Sequence, residues 1–251
     1  MRVALAAVMT LCAVAAGWSQ SVLAATDTKA RPVEFYACNF REGKTRADLD
    51  KVTAKFREYA NKNDTGYSAW TLTPEYATDA GYDIGWMGSW PDGVAFGVSQ
   101  EKWHSIGRGL AAEFDQVLDC SQRHVMAMSR PINAPTATPE DGILLLYACK
   151  LNQGKTLKDA YAAHLQFGQW MKANGSLSVS WMFTPAAGMG DSDVDYYHAA
   201  AFYRYSDMGD TMEMYVNRGG AENRAKNIDP VASCQTPTVY DALSVRASDE
   251  R

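Results

Sequence analysis

The sequence has little histidine and lacks the short motifs that mark the commonest catalytic sites. Its 251 residues include four histidines, and no two of them are spaced i, i+2 or i, i+4. Neither G-x-S-x-G nor H-E-x-x-H occurs, which argues against a serine nucleophile and a zinc protease centre. No Cys/His cluster has the spacing of metal ligands, so we expect no structural zinc site.

Basic charge is also scarce. The chain carries 24 Lys and Arg against 29 Asp and Glu, a formal net charge of −5, and it has no basic run. Nucleic-acid binders usually carry a basic stripe, so we expect no nucleic-acid partner. Hydrophobic residues make up 47% of the chain, which excludes a wholly disordered protein.

Long apolar runs are confined to the N-terminus. After residue 24 no stretch reaches 18 consecutive apolar residues, so we expect no membrane span. Arg2 precedes the apolar run Val3–Gly17, and Val22 and Ala24 suit positions −3 and −1 of a cleavage site. We therefore predict a signal peptide over residues 1–24, and hence a secreted or periplasmic protein.

Cysteine usage agrees with export. Cys12 lies inside the predicted signal peptide, which leaves four cysteines in the mature chain, Cys38, Cys120, Cys149 and Cys234. An even number in an exported protein indicates disulfides. Four cysteines allow three pairings, and the internal repeat described next distinguishes between them.

The chain contains a tandem repeat. Two segments about forty residues long match without a gap when they are offset by 111 positions, the separation of Cys38 and Cys149. The matches include Tyr36-Ala37-Cys38 with Tyr147-Ala148-Cys149, Gly43-Lys44-Thr45 with Gly154-Lys155-Thr156, Trp70 with Trp181, and Thr73-Pro74 with Thr184-Pro185. So many ordered identities indicate a duplicated unit. The proline-containing segment 129–142 is predicted to be the linker.

Each unit has the pattern β-α-β-β-α-β. In residues 33–128 the predicted strands are Val33–Phe40, Tyr67–Thr73, Tyr82–Trp90 and His124–Met128, and the helices are Thr45–Asn63 and Glu101–Leu118. In residues 143–246 the strands are Ile143–Leu151, Ser176–Phe183, Asp195–Tyr205 and Val239–Val245, and the helices are Thr156–Asn174 and Gly209–Asn227. This order predicts two ferredoxin-like α+β units.

The ferredoxin-like order also selects a disulfide pairing. Its first and last strands are antiparallel neighbours, with Cys38 late in the first strand and Cys120 just before the last. Antiparallel pairing brings these positions together, which predicts Cys38–Cys120 and Cys149–Cys234. Thr45 with Asp48, and Thr156 with Asp159, place a hydroxyl at a helix N-cap and a carboxylate at N3.

Aromatic strands carry the strongest hint of a binding site. Trp86 and Trp90 share one face of the third strand of the first unit, with Tyr82 and Ile84. In the matching strand of the second unit, Tyr196, His198, Phe202 and Arg204 share a face. The alternative is that His198 and Arg204 are ordinary surface or interface residues without a role in binding. His104 and His164 are interpreted as helix-surface side chains.

Two ferredoxin-like units in tandem resemble the dimeric α/β-barrel superfamily in its fused form. The resemblance covers nearly all of residues 33–246 and rests on element order and duplication. It implies two sheets that face each other and enclose a pocket. The superfamily includes cofactor-free monooxygenases, lactone isomerases and haem enzymes, but no residue motif of any of these is present, so no catalytic residue carries over.

Three functions follow as hypotheses. The first is an enzyme for a flat apolar substrate, with His198 as base or polariser, Trp86 and Trp90 as walls, and Tyr196 and Arg204 as further ligand contacts; haem use is a variant of it. The second is an exported binding protein without turnover. The third is a structural or interaction module whose barrel is filled. The barrel is complete in a single chain acting as a pseudo-dimer, or it assembles further as a homodimer.

Overall fold

The computed structural model describes residues 29–77, 80–135 and 140–247, so the predicted signal peptide lies outside the described residues. Within them the chain forms nine strands and six helices. The strands are β1 (Arg31–Phe40), β2 (Ser68–Tyr76), β3 (Ile84–Ser89), β4 (Leu118–Asn133), β5 (Gly142–Leu151), β6 (Val179–Ala187), β7 (Tyr196–Phe202), β8 (Ala232–Cys234) and β9 (Thr238–Arg246). The helices are α1 (Arg46–Lys62), α2 (Gly93–Ile106), α3 (Arg108–Asp115), α4 (Leu157–Ala173), α5 (Tyr205–Asn217) and α6 (Gly220–Asn227).

Eight of these strands close into an antiparallel barrel. The first half of the chain contributes strands in the order β4-β1-β3-β2, and the second half contributes β9-β5-β7-β6. The seams between the halves are β4 against β6 and β2 against β9. The short strand β8 pairs with the end of β5. Closure leaves the barrel without a free edge, and one chain achieves it alone.

Side chains alternate between the barrel interior and the helix-covered exterior. On β1, Phe35 points inward and packs against a cluster to which both halves contribute, for example Leu72 and Tyr240. Its neighbours on the strand face outward and pack against the helices of their own half. The core is therefore divided into an interior layer shared by both halves and an exterior layer in each half.

Both predicted N-terminal caps are confirmed. Thr45 and Thr156 are the N-caps of α1 and α4, and the Asp48 and Asp159 side chains accept hydrogen bonds from the cap N–H groups at 3.1 and 2.9 Å. Acceptors at this helix end satisfy N–H groups that lack an intrahelical partner.

The second helical region of the first half differs from the prediction. The sequence predicts a single helix over Glu101–Leu118. In the structure, α2 begins at Gly93 after the Asp92 N-cap and ends before Gly107, and a separate helix, α3, follows. Glycine weakens a helix interior because it has the most backbone freedom to lose. The residues expected to end this helix start β4 instead, and β4 runs past the predicted strand to Asn133.

Each half contains one disulfide, which joins β1 to β4 in the first half and β5 to β8 in the second. Cys38 bonds Cys120, and Cys149 bonds Cys234, the pairs that the repeat predicts. Cys149 and Cys234 are direct partners across β5 and β8. Among the described residues, no helix is both long and apolar enough to cross a bilayer.

Candidate functional site

The candidate site is a cavity of about 210 Å³ between the sheet and the helices of the first half. We call it the aromatic pocket. Its walls include Glu34, Tyr36, Phe56, Tyr59, Thr65, Tyr67, Trp86, Trp90, Ser99, Trp103, Ala111 and Phe114. An apolar pocket with a few polar groups is the usual form of a small-molecule site.

Strand geometry explains how these side chains meet. Glu34 and Tyr36 are two residues apart on β1, so both face the helices. Trp86 lies directly opposite Tyr36 on β3. Phe56 of α1 completes the packing, with its ring centroid 5.2 Å from that of Trp86 in an edge-to-face arrangement.

Glu34 is the chemical centre of the pocket. Its exposure is 7%, although it is an acid. Its Oε1 accepts a hydrogen bond from Tyr67 Oη at 2.6 Å, and its Oε2 accepts one from Tyr36 Oη at 3.4 Å. A buried carboxylate needs such donors, because leaving it unpaired is very costly.

Tyr67 links Glu34 to the indole of Trp86. Trp86 Nε1 donates to Tyr67 Oη at 2.8 Å, while the Tyr67 hydroxyl donates to Glu34. Burial, and next the Glu34 carboxylate, raise the pKa of Tyr67 and of Tyr36 well above the ordinary phenol value. Both phenols therefore stay protonated and act as donors.

Gly88 makes room for this arrangement. It lies opposite Glu34 on β3, and a Cβ atom at this position would overlap the Tyr67 hydroxyl. The absence of a side chain lets Tyr67 cross the strand and reach the carboxylate. The glycine is thus required by a close approach.

His124 connects the buried carboxylate with the surface. Its Nε2 lies 3.1 Å from Glu34 Oε2, and its side chain is 51% exposed. Its ring stacks on Tyr36 with the centroids 3.7 Å apart, and the two residues face each other across β1 and β4. His124 therefore links the Glu34 carboxylate to the surface of the protein.

The pocket also contains polar atoms that have no protein partner. Among the described residues, Tyr59 Oη, Thr65 Oγ1 and Trp90 Nε1 are buried without a hydrogen bond, and all three residues line the pocket. A buried donor or acceptor left unpaired costs about 1–3 kcal/mol. A ligand bearing polar groups would relieve this cost.

The predicted site residues do not share one pocket. Trp86 and Trp90 line the aromatic pocket, but they face the helices and not the barrel interior. His198 and Tyr196 lie in the second half. Arg204 is the N-cap of α5 and pairs with Asp207 at 2.6 Å, with its side chain 70% exposed. Their grouping around an interior pocket is therefore wrong.

His198 lies in a different environment from the one expected. It takes the place in β7 that Trp86 takes in β3, since each faces the equivalent tyrosine of the first strand. Its ring stacks on His164 with the centroids 4.4 Å apart. Burial, and next the charge of Arg224, lower the pKa of His198 to about 4. The His198 imidazole is therefore neutral at neutral pH.

His164 is buried and not on the helix surface as predicted. Its exposure is 3%, and its Nε2 lies 3.0 Å from Tyr196 Oη. Burial lowers its pKa well below the ordinary value. Ligand atoms of His164, Cys149 and Cys234 lie within 4.8 Å of one another. The disulfide occupies both sulfurs, so these three residues do not form a metal site in this oxidised state.

Sequence reasoning missed Glu34, Tyr36, Tyr67 and His124. A signal for Glu34 existed: it is an acid within an apolar strand, and the repeat places Leu145 at the matching position. An acid kept where its counterpart is apolar indicates a partner or a function. Tyr67 had no such signal, because its contact with Glu34 depends on the pairing of β1 with β3, which are distant in the sequence.

Comparisons with known proteins bear on the fold. No protein-family model matches the chain, and no curated protein sequence matches it. A candidate monooxygenase from Lactobacillus acidophilus superimposes with a TM-score of 0.58 at 9% identity, over 87% of this chain and 95% of that one. A candidate chlorite dismutase superimposes with a TM-score of 0.55 at 12% identity, over 88% and 97%.

A heme-binding protein from Thermus thermophilus has a TM-score of 0.52 at 11% identity, over 87% of this chain and 93% of that one. These matches span nearly the whole chain. The fold is that of a dimeric α/β barrel. At such low identity the likeness shows the architecture of this barrel and leaves its chemistry to be argued from its own residues.

Proposed function

We propose that this barrel is a small-molecule enzyme that binds a flat apolar substrate in the aromatic pocket and uses Glu34 to move a proton. The observation that carries the proposal is the Glu34 carboxylate, buried in an aromatic wall and held by three donors. A carboxylate has about four lone-pair sites. Three donors therefore leave one site, which a substrate proton can occupy.

The proposed step is proton abstraction. Glu34 removes a proton from an acidic C–H or O–H of the substrate, and the electron pair of that bond delocalises into the substrate's π system. The resulting carboxylic acid returns the proton to another atom, which completes an isomerisation. Cofactor-independent oxygenation begins with the same step, after which molecular oxygen adds to the carbanion. The monooxygenase named among the structural neighbours is compatible with this variant.

The size of the pocket limits the substrate. A cavity of about 150 Å³ is enough to bind benzene. At about 210 Å³, the aromatic pocket holds one ring with substituents, or a small bicyclic molecule. Tyr59 Oη, Thr65 Oγ1 and Trp90 Nε1 would bind polar substituents.

Haem does not fit the aromatic pocket. The volume of the aromatic pocket is below the 300–1,000 Å³ that is typical of pockets for larger ligands. Haem iron takes a His, Cys, Met or Tyr ligand, and the described lining contains no His or Met. The cysteines in the lining are bonded to each other. Tyr36 and Tyr67 stay protonated beside Glu34, and burial raises the pKa of Tyr59 as well.

The proposal is tested with 2-indanone, a flat bicyclic ketone with acidic C–H groups. Its exchange of hydrogen for deuterium in D2O is followed by proton NMR with the wild-type chain and with Glu34→Gln, which keeps the shape of the side chain. We expect the wild type to accelerate exchange and Glu34→Gln to abolish the acceleration. Thr71→Val, a buried change outside the pocket lining, is the control and should exchange as the wild type does.

Binding without exchange would favour the second candidate, an exported binding protein. The three unpartnered polar atoms support this alternative, because a ligand would satisfy them without any reaction. Absence of both binding and exchange, for indanone and for single-ring phenols, would contradict a functional pocket. It would favour the structural role.

We also propose that the chain is exported and that its halves are duplicated ferredoxin-like units. Two disulfides support export, and the matching strand orders of the halves support duplication. Intact mass spectrometry of the protein from its own host tests export. The expected mass starts at Ala25 and lacks four hydrogens relative to the reduced chain; retention of residues 1–24 would contradict it.

A further inference from the structure

A second cavity lies inside the barrel, apart from the aromatic pocket. Its volume is about 490 Å³. It occupies the end of the barrel where β1, β2, β5 and β6 begin, and all eight barrel strands contribute to its lining. We call it the barrel cavity.

The barrel cavity is apolar within and polar at its opening. Its inner wall includes Trp70, Met87, Leu144, Trp181, Phe183 and Ala201. Its rim carries serines and charged residues of both signs, namely Arg31, Ser68, Ser89, Ser129, Glu140 and Asp141. A molecule with an apolar body and a polar end would match both parts.

The opposite end of the barrel is closed. There Phe35, Leu72, Leu146 and Tyr240 pack together across the two halves. The Tyr82 and Tyr240 hydroxyls share a hydrogen bond at 2.6 Å. The barrel cavity is therefore a blind pocket and not a channel.

Small side chains create the space. Ser89 on β3 and Ala201 on β7 occupy equivalent places, opposite Val33 and Leu144. Ala242 lines the cavity from β9. Larger side chains at these inward positions would fill the barrel, as the aromatic residues do at the closed end.

The sheet separates the two cavities. On β1, Val33 lines the barrel cavity and Glu34 lines the aromatic pocket. On β3, Met87 lines the barrel cavity and Trp86 lines the aromatic pocket. Successive residues of a strand point to opposite faces, so a ligand in one cavity does not touch the walls of the other.

We propose that the barrel cavity is a second binding site, for a neutral molecule with several fused or linked aromatic rings and one polar end. Its volume is more than twice that of the aromatic pocket and lies within the range of pockets that bury most of a ligand. Trp70, Trp181 and Phe183 favour aromatic rings. The mixed charges of the rim favour a neutral polar group over an ion.

The test uses N-phenyl-1-naphthylamine, a neutral three-ring dye whose fluorescence rises in apolar surroundings. The full chain is titrated alongside two variants that each add the same side chain to one cavity. Ala201→Leu narrows the barrel cavity, and Ala111→Leu narrows the aromatic pocket. We expect saturable binding of one dye per chain and at least about tenfold weaker binding by Ala201→Leu, because a leucine would overlap the ligand.

Ala111→Leu is expected to bind the dye as the wild type does. The reverse pattern, with binding lost in Ala111→Leu and kept in Ala201→Leu, would overturn the proposal. So would equal binding by all three proteins, which indicates a surface site, or no saturable binding. If Ala201→Leu does not fold, Ser89→Leu provides the same test from the equivalent position. The outcome is independent of Glu34 and of the indanone assay.

Discussion

Glu34 on β1 and Leu145 on β5 occupy equivalent places in the two halves, yet their surroundings differ in kind. Glu34 gathers Tyr67, Tyr36 and His124 around a carboxylate. Leu145 belongs to an apolar cluster with Phe202 and Met208. The same strands therefore support a polar network in one half and an apolar layer in the other.

The difference extends across the sheet. Trp86 of the first half corresponds to His198 of the second, and Gly88 corresponds to Ala200. Thr53 of α1 corresponds to His164 of α4 by the repeat spacing, and both are buried. The two halves share a strand order, whereas the side chains between their sheets and helices differ. The first half is consequently the better candidate for chemistry.

The disulfides are the feature in which the halves should agree most closely, and they give the largest expected effect. They close loops of similar length, with sequence separations of 82 and 85. A disulfide that closes a loop of this size restricts the unfolded chain and thereby stabilises the folded state by about 4 kcal/mol. Replacing both cysteines of either pair with serine should lower the free energy of unfolding by about this amount. Chemical denaturation measures the free energy of unfolding of each variant. A negligible loss for one disulfide would contradict the expectation that the two contribute equally.

The glycine that admits Tyr67 distinguishes the halves. Gly88→Ala would displace Tyr67 from Glu34, since the new methyl group overlaps the hydroxyl. We expect a loss of about 1–3 kcal/mol from the resulting strain. Ala200→Gly in the second half should cost only about 0.5–1 kcal/mol, because glycine loses more backbone freedom than alanine on folding.

Denaturant unfolding of both variants makes this comparison, and near-UV circular dichroism reports the aromatic environment. A Gly88→Ala protein as stable as the wild type, with an unchanged aromatic signal, would contradict the role assigned to the glycine. The dye used for the barrel cavity should still bind to this variant.

Acid sensitivity is the property expected to come from the second half. His198 has a pKa of about 4 when folded, against 6.5 as the ordinary value. Below pH 6.5 the unfolded chain gains a proton that the folded chain does not bind, so the free energy of unfolding falls with pH until about 4. The pKa of His164 is lowered in the same direction. His198 alone should account for about 3 kcal/mol of acid-dependent loss, and His164 adds to that loss.

His164→Thr tests this origin, because threonine is the residue that the first half carries at this position. The difference in unfolding free energy between wild type and variant should change between pH 6.5 and 4 and stay constant above pH 7. A constant difference over the whole range would contradict it. Carboxylates titrate equally in both proteins and cancel in the difference.

Signals in the sequence predicted the barrel strands, the starts of α1 and α4, and the cysteine pairs. Identities at a fixed spacing reveal a repeat, and a Thr with an Asp three residues later reveals a helix start. These features depend on neighbours along the chain. The mixed α+β barrel that they predict is the one observed.

The candidate site could be predicted only in part. Trp86 was recognised as a pocket wall, but the side of the barrel that it faces depends on how two distant seams close. The strand pattern predicts that Tyr82 shares a face with Trp86, but the Tyr82 hydroxyl forms a hydrogen bond with the Tyr240 hydroxyl of the other half. The burial of His164 depends on its stacking against His198, 34 positions away. Contacts of this kind arise from tertiary structure and leave no local pattern.

The helix caps, which are the same in both halves, give the smallest expected effect. Asp48 and Asp159 each accept a hydrogen bond from the N-cap N–H, and each also contacts the threonine hydroxyl, at 3.0 and 2.7 Å. Thr45→Ala and Thr156→Ala should each cost about 1 kcal/mol, or about 2–4 °C in Tm. The two losses should be equal and additive, because the caps lie in different halves and share no partner. Thermal unfolding of the single and double variants measures this, and a double loss well above the sum would indicate that the halves unfold through a shared element near the helix starts.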